Sequence, residues 1–343
     1  MPYTNEPNGL TSFGVPVLPG MPIPFTGNYF FCDPVNGSDG YEGTNPQRAV
    51  QTLYRALELC RDGHNDVVFL IGNGQDSGSA VLSLALAQSR NPAATSGVLT
   101  WNKNACHLIG LSPSGIHSRA RIAPPSGTYT QATFGSGNFI VVSGQGCLFM
   151  NLSVSHAFST GGVNQIAWTD SGGRNVYVNC QIKGMGDAAS AADAGSRSLK
   201  LTGTVGENHF SNCIIGGDTV NRSAANASLE LAGATPRNRF SGCIFPFSGT
   251  AAGVLGILGT GAACMDHWAL FDNCMFMNAI KSGSTQMTVL ASFTNASPGG
   301  FLNFKDSPMI GITKYGDANG LANSYINMPA VSAAAGGLEL NPA

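Results

Sequence analysis

Thirteen of the 36 charged residues of this 343-residue chain fall between Asp170 and Arg239. The residues there that could do chemistry are Asp187, Asp193 and Asp218, with Arg197 and Arg222 close in sequence. Two of the acids stand in glycine-rich loops, Gly184-Met-Gly-Asp187 and Gly216-Gly-Asp218-Thr. Carboxylates one or two strand spacings apart, about 5 to 10 Å, would match the separations used to cleave a glycosidic bond. The same residues can instead pair among themselves, or across a subunit boundary, to hold loops in place. That second reading is the one expected here, with no catalytic residue and no cofactor. Sugar grooves use aromatic platforms, which are sparse here, and Trp168, alternating with Ile166, is expected in the core. The six His are scattered and the nine Cys contain no Cys-x-x-Cys, so no metal site is expected either.

The elements that must position these residues form a repeat. An aromatic stands two residues before an Asn-like position, and apolar or small residues follow one and three places after it. The copies run Phe149-Met-Asn151-Leu152-Ser-Val154, Tyr177-Val-Asn179-Cys180-Gln-Ile182, Phe210-Ser-Asn212-Cys213-Ile-Ile215, Phe240-Ser-Gly242-Cys243-Ile-Phe245, Phe271-Asp-Asn273-Cys274-Met-Phe276 and Phe304-Lys-Asp306-Ser307-Pro-Met309. The steps between central positions are 28, 33, 30, 31 and 33 residues. Asn, Gly and Asp are the residues that most easily take a left-handed backbone, so Asn151, Asn179, Asn212, Gly242, Asn273 and Asp306 are expected as one column of bends. Side-chain alternation then points the aromatic inward on one side and Cys213, Ile215 and their equivalents inward on the other. A second strand is expected upstream, with Ile166, Leu199 and Leu229 each 13 residues before their bend. A period near 30 with strand content is a solenoid. The expected fold is all-β, a right-handed parallel β-helix.

The Asn-Cys repeat is preceded by Phe31-Cys-Asp33-Pro-Val-Asn-Gly37-Ser-Asp39-Gly and an expected helix from Pro46 to Arg61. Together these resemble the pectin-lyase-like β-helix superfamily over residues 28 to 320, and more narrowly the β-helical structural proteins of tailed bacteriophages. The superfamily resemblance implies the fold and leaves activity open, because lyases, hydrolases and virion proteins share it. A lyase of that kind would need several acids gathering calcium beside a basic Arg or Lys. The spacing here contains no such cluster.

Four regions follow from the pattern: an extended Pro-rich arm over 1–28, a cap segment with its helix over 29–66, the β-helix over 67–320 and a tail over 321–343. Thr44 or Asn45 would cap the helix, with Ala49, Leu53, Ala56, Leu57 and Cys60 on one face, closing an end whose strand edges would otherwise invite stacking. Residues 67–71 should be the first buried strand, followed by an insertion from Gln75 to Trp101 in which Ala80 to Ser89 could be helical. Phe247 to Cys264 carries no charge, yet it lies between two registered bends and is expected as a buried coil. Cys180, Cys213, Cys243 and Cys274 share an inward column whose parallel Cβ vectors suit core thiols better than disulfides.

With 10% charged residues and a formal net charge of -2, nothing points to nucleic acid or an anionic membrane. The arm carries more apolar surface than a solvated linker, including Phe13, Val15, Val17, Leu18, Ile23 and Phe25. It would either fold back over its own β-helix or grip a neighbouring subunit or shell. Residues 1–6 lack the basic and apolar pattern of a secretion signal, so synthesis in a host cytoplasm is expected. The resulting expectation is a non-catalytic virion protein, a capsid decoration or cement protein bound to the major capsid protein or another virion protein, and a homotrimer. A tailspike or fibre that binds or depolymerises host surface polysaccharide is the alternative.

Overall fold

The computed structural model describes residues 11–12, 15–16, 27–72, 82–83, 98–111, 120–123, 137–156, 164–280, 287–317 and 324–326. Each full coil lays down three short strands, and each strand pairs in parallel with its counterpart one coil away. The result is three sheets of ten, nine and eight strands running the length of a right-handed parallel β-helix. The ten-stranded sheet carries the aromatics of the repeat, the nine-stranded sheet follows the bend, and the eight-stranded sheet contains the upstream strand of each coil.

The bend column makes this stacking possible. Asn151, Asn179, Asn212, Gly242, Asn273 and Asp306 all have left-handed backbones, with φ between 48° and 63°. Each of the first five donates its amide to a carbonyl of the next coil, from Asn151 to Val178 at 3.0 Å through to Asn273 to Lys305 at 2.9 Å. The ladder therefore passes through these five corners unbroken, and each of the five amides has an acceptor. Inside the corner, Phe149, Tyr177, Phe210, Phe240, Phe271 and Phe304 stack with centroids 4.3 to 5.2 Å apart. Such ring pairs contribute about 0.5–1.5 kcal/mol each beyond their burial.

The cysteine column has a specific task at the same corner. The thiols of Cys180, Cys213, Cys243 and Cys274 lie 3.4 to 3.5 Å from the carbonyl oxygens of Phe149, Tyr177, Phe210 and Phe240, each on the preceding coil. In the last copy, Ser307 makes the equivalent bond to Phe271 O at 3.1 Å. A small side chain with a donor is what these sites share. All nine cysteines are free and buried.

The structure corrects several sequence expectations. Strand Tyr29–Cys32 precedes Asp66–Ile71 in the ten-stranded sheet, so the first strand lies upstream of residue 67. The helix expected from Pro46 to Arg61 is broken in two. Asn45 caps a short 3-10 turn, Pro46–Arg48, and Thr52 caps α1, Leu53–Leu59. Between them Val50 bridges to Cys32, which extends the chain where a helix would have continued. Asp39 fixes this kink by accepting the amides of Gln51 and Thr52 and the Thr52 hydroxyl. Ala49, Leu53, Ala56, Leu57 and Cys60 are all buried.

The upstream register also differs. Leu199 pairs with Trp168, not Ile166, and Ile166 pairs with Arg197. The loop from Trp168 to Tyr177 is two residues shorter than its successors from Leu199 to Phe210 and Leu229 to Phe240, and counting back from the bend absorbed that difference. Trp168 is buried, as its position required. Of the stretch Ala80 to Ser89, the described part, Leu82–Ser83, is a strand of the nine-stranded sheet. The rest lies outside the described residues. The uncharged run from Phe247 to Cys264 spans the end of strand Ile244–Gly249 and strand Leu255–Thr260, a coil whose strands are buried and whose turns at 252–253 and 261–262 are exposed. Among the described residues no helix is long and apolar enough to cross a membrane.

Two predictions follow from this packing. A Cβ on Gly242 would lie 2.5 Å from Asn212 Oδ1, and its φ of +63° disfavours any branched residue. Gly242→Val is expected to lower the unfolding free energy by about 1–3 kcal/mol, measured by urea denaturation. The four column thiols should resist alkylation in the native protein and react once it is denatured. Rapid native labelling at these positions would mean that the column faces solvent.

Candidate functional site

The acids singled out in the sequence are engaged in shaping their own loops. Asp187 caps α2, Ala188–Ala191, accepting the amides of Ala189 and Ser190 at 2.8 and 3.1 Å and the Ser190 hydroxyl at 2.9 Å. Asp193 accepts the Asn164 amide at 2.7 Å and the Ser196 hydroxyl at 2.8 Å, tying its loop to the coil before it. Asp218 is exposed on strand Gly217–Arg222, where its charge lies near Lys183.

Arg222 is the unusual member of the group. It is buried in the wall between the nine- and eight-stranded sheets, without a carboxylate among its hydrogen-bond partners. Its guanidinium donates to Asn226 Oδ1 at 2.6 Å, Asn226 O and Leu255 O at 2.8 Å and Ser228 Oγ at 3.1 Å. Burial, with Arg197 nearby, pulls its pKa down to about 9, so it keeps its proton at neutral pH. Asn226 in turn donates to Ala191 O at 2.9 Å and Asp193 O at 3.2 Å. The structure thus brings Arg222 to the 187–193 loop through an amide, with no ion pair to Asp187 or Asp193.

Arg197 does pair with an acid, on the outer side of the eight-stranded sheet. Its Nε lies 2.8 Å from Glu230 Oε2, and its Nη1 donates to Ala194 O and Ser196 O at 2.7 and 2.8 Å. The other Glu230 oxygen receives Lys200 Nζ at 3.2 Å and Thr260 Oγ1 at 2.9 Å. Burial pushes the Glu230 carboxyl up, but Arg197, Lys200 and Thr260 outweigh it, and its pKa is lowered overall. An ionised carboxylate held by two cations and a hydroxyl is a poor proton donor and a weak base.

Sequence reasoning missed Glu230 as the centre of this group. The signal was present, because Glu230 pairs in register with Lys200 one coil earlier. A second group that it missed lies inside the solenoid. Asp170 accepts the Tyr177 hydroxyl at 2.6 Å, Asn175 Nδ2 at 3.0 Å and the Gly173 amide at 3.0 Å, while Trp168 Nε1 donates to the Tyr177 oxygen at 3.1 Å. Burial pushes the Asp170 carboxyl upward against these bonds. Asn175 begins a third column. Its Oδ1 accepts the Cys147 amide, Asn208 accepts that of Asn175 and Asn238 that of Asn208, at 2.8, 3.0 and 3.2 Å. Each stands four residues before its bend, a spacing readable in the sequence.

Surface charges follow the same stacking. Glu207 lies between Arg174 and Arg237 at 2.9 and 2.7 Å, and Asp272 between Arg239 and Lys305 at 3.2 and 3.0 Å. Among the described residues no group of three or more His, Cys, Asp or Glu could hold a metal ion. The arm residues Phe13, Val17, Leu18, Ile23 and Phe25 lie outside the described residues. Val15 lies in a two-residue strand, Val15–Pro16, antiparallel to Thr11–Ser12.

The sequence matches no family model and no curated protein. Solved structures do resemble it. The pectin methylesterase from Aspergillus niger is 14% identical with a TM-score of 0.51, over 87% of this chain and 83% of that one. Pectate lyase Pel9A is 14% identical with a TM-score of 0.52, over 82% of this chain and 62% of that one. A rhamnogalacturonan lyase is 13% identical with a TM-score of 0.50, over 82% and 68%. At such identities the likeness shows the fold alone, a right-handed parallel β-helix.

Replacing Glu230 by Gln would leave Arg197 buried without its counter-charge, at an expected cost of about 3 kcal/mol. Because the folded-state pKa is lowered, this contribution is present above the unfolded value of about 4.3 and fades as pH falls through the folded one. Denaturation curves should therefore show the gap between wild type and Glu230→Gln narrowing below about pH 4.

Proposed function

We propose that this chain is a non-catalytic structural protein of a tailed-bacteriophage virion, a homotrimeric decoration or cement protein that binds the major capsid shell. The observation that carries the non-catalytic part is where the acids spend their lone pairs. Asp187 and Asp193 cap loops, and Glu230 is held by Arg197, Lys200 and Thr260. General acid–base chemistry needs a carboxyl aimed at substrate with its proton or lone pair free. A glycosidase pair would further need two such carboxyls facing one another across an open groove. The narrower assignment to a virion rests on the resemblance of the repeat and of the Phe31 to Arg61 segment to β-helical phage structural proteins. A nearly neutral β-helix suits such a role.

The test compares wild type with a triple variant, Asp187→Asn, Asp193→Asn and Asp218→Asn. Both proteins are expected to bind isolated phage heads equally and to leave pectin and host surface polysaccharide intact. Polysaccharide cleavage by wild type that the triple variant loses would replace this reading with that of a tailspike.

A further inference from the structure

Cys60 and Cys106 differ from the other neighbouring thiols of this chain in how they meet. Cys180, Cys213, Cys243 and Cys274 stand at one position of successive coils, so their side chains run parallel, which is poor disulfide geometry. Cys147 stands level with Cys106 one coil on, because Phe149 pairs with Leu108, and the same objection applies to that pair. Cys60 belongs to no such column. It is the C-cap of α1, which packs on the first strands of the solenoid, Tyr29–Cys32, Asp66–Ile71 and Leu99–Trp101. Cys106 opens strand Cys106–Leu111 of the ten-stranded sheet. The two thiols are in hydrogen-bonding contact and arrive there from different elements.

The surrounding contacts hold that meeting in place. Lys103 Nζ donates to Leu57 O at 2.7 Å, to Glu58 O at 3.0 Å and to Cys60 O, which gathers the carbonyls that end α1 onto the segment leading into Cys106. The Cys106 thiol lies 3.4 Å from Arg61 O, and the Arg61 amide donates to Asp66 Oδ2 at 2.7 Å. Gly63 N donates to Asn104 O at 2.8 Å, so the chain leaving α1 runs alongside the chain entering Cys106. Both cysteines are buried. With seven residues, α1 is too short to be a stable helix without this packing. Its attachment therefore decides whether this end of the solenoid stays covered.

We propose that Cys60 and Cys106 form a disulfide when the protein meets a small-molecule disulfide, and that this bond latches α1 to the wall of the solenoid. The latch does not rest on the virion reading, since it would secure the fold in any role. When α1 lifts, the Cys60 thiolate attacks one sulfur of oxidised glutathione and expels one glutathione thiolate. When α1 returns, the Cys106 thiolate attacks the Cys60 sulfur of that mixed disulfide and expels the second. Two protein thiols thereby lose two electrons and two protons, and one glutathione disulfide becomes two thiols. Hydrogen bonding from Cys60 holds the Cys106 thiol below its ordinary pKa, against the effect of burial, which suits it to the closing step. The loop so closed contains strands Asp66–Ile71 and Leu99–Trp101, and a cross-link over a long loop removes much of the freedom of the unfolded chain.

Peptide mapping of the full-length protein tests the bond. Reduced protein is incubated with oxidised glutathione under native conditions, then denatured and alkylated. A single disulfide, Cys60–Cys106, is expected, with every other cysteine alkylated. The absence of a disulfide, a Cys106–Cys147 or column bond, or glutathione retained on Cys60 without closure overturns the proposal. Hydrogen exchange reads the latch itself. The α1 amides should exchange about tenfold more slowly in oxidised than in reduced wild type, and Cys106→Ser treated in the same way should show no slowing. Equal exchange in oxidised and reduced wild type, or slowing that survives in Cys106→Ser, would also overturn it.

Discussion

Everything in this molecule depends on turning the same corner at the same place in every coil. A left-handed residue reverses the local path without a loop, and its amide stays in the inter-coil ladder through the turn. With the corner fixed, each aromatic must land on the aromatic before it, and each thiol must face the same carbonyl. Substitutions in the column follow from this constraint. Gly242 keeps the φ and gives up the side-chain amide, while Ser307 keeps the donor and gives up the sulfur. The repeat conserves backbone geometry and a hydrogen-bond donor, and it tolerates change in the atoms that supply them.

What the sequence could reveal was whatever recurs at fixed distance from that corner. The inward aromatics, the cysteine column and the buried run between Gly242 and Asn273 were all legible by counting from the bend. The count fails once a loop changes length, which is why Ile166 stood in for Trp168. Departures from the period were the hardest to read. The helix was expected to run unbroken because its apolar spacing ignores Asp39, a distant residue that pins Gln51 and Thr52 in an extended turn. Asp187 and Asp193 were open to two readings because a loop acid is ambiguous by type. Only the positions of the Ala189, Ser190 and Asn164 amides distinguish a cap from a catalyst.

The polar groups described inside the wall are tolerated because their donors find acceptors on the same coil or on the next. The buried Arg222 has no acid, but four oxygens surround it, two of them backbone carbonyls. Backbone partners arrive with the fold and need no further residue to be specified. Asp170 and Tyr177 satisfy one another where a hydroxyl replaces a plain ring in the stack. Tyr177 therefore keeps the ring contacts of its neighbours and adds a tie to the strand that carries Trp168.

Stacking like on like also bears on charge. Identical charges at one register position would stand about 4.8 Å apart on successive coils and repel. This chain alternates sign instead, with Arg174, Glu207 and Arg237 in one ladder, Lys200 and Glu230 in another, and Asp272 and Lys305 in a third that Arg239 joins diagonally. A β-helix built for carboxylate catalysis has to violate that alternation, holding two acids close and neither neutralised. Between Asp170 and Arg239 the alternation is kept in the two ladders built on Glu207 and Glu230. These pairs tie one coil to the next, as the backbone ladders do.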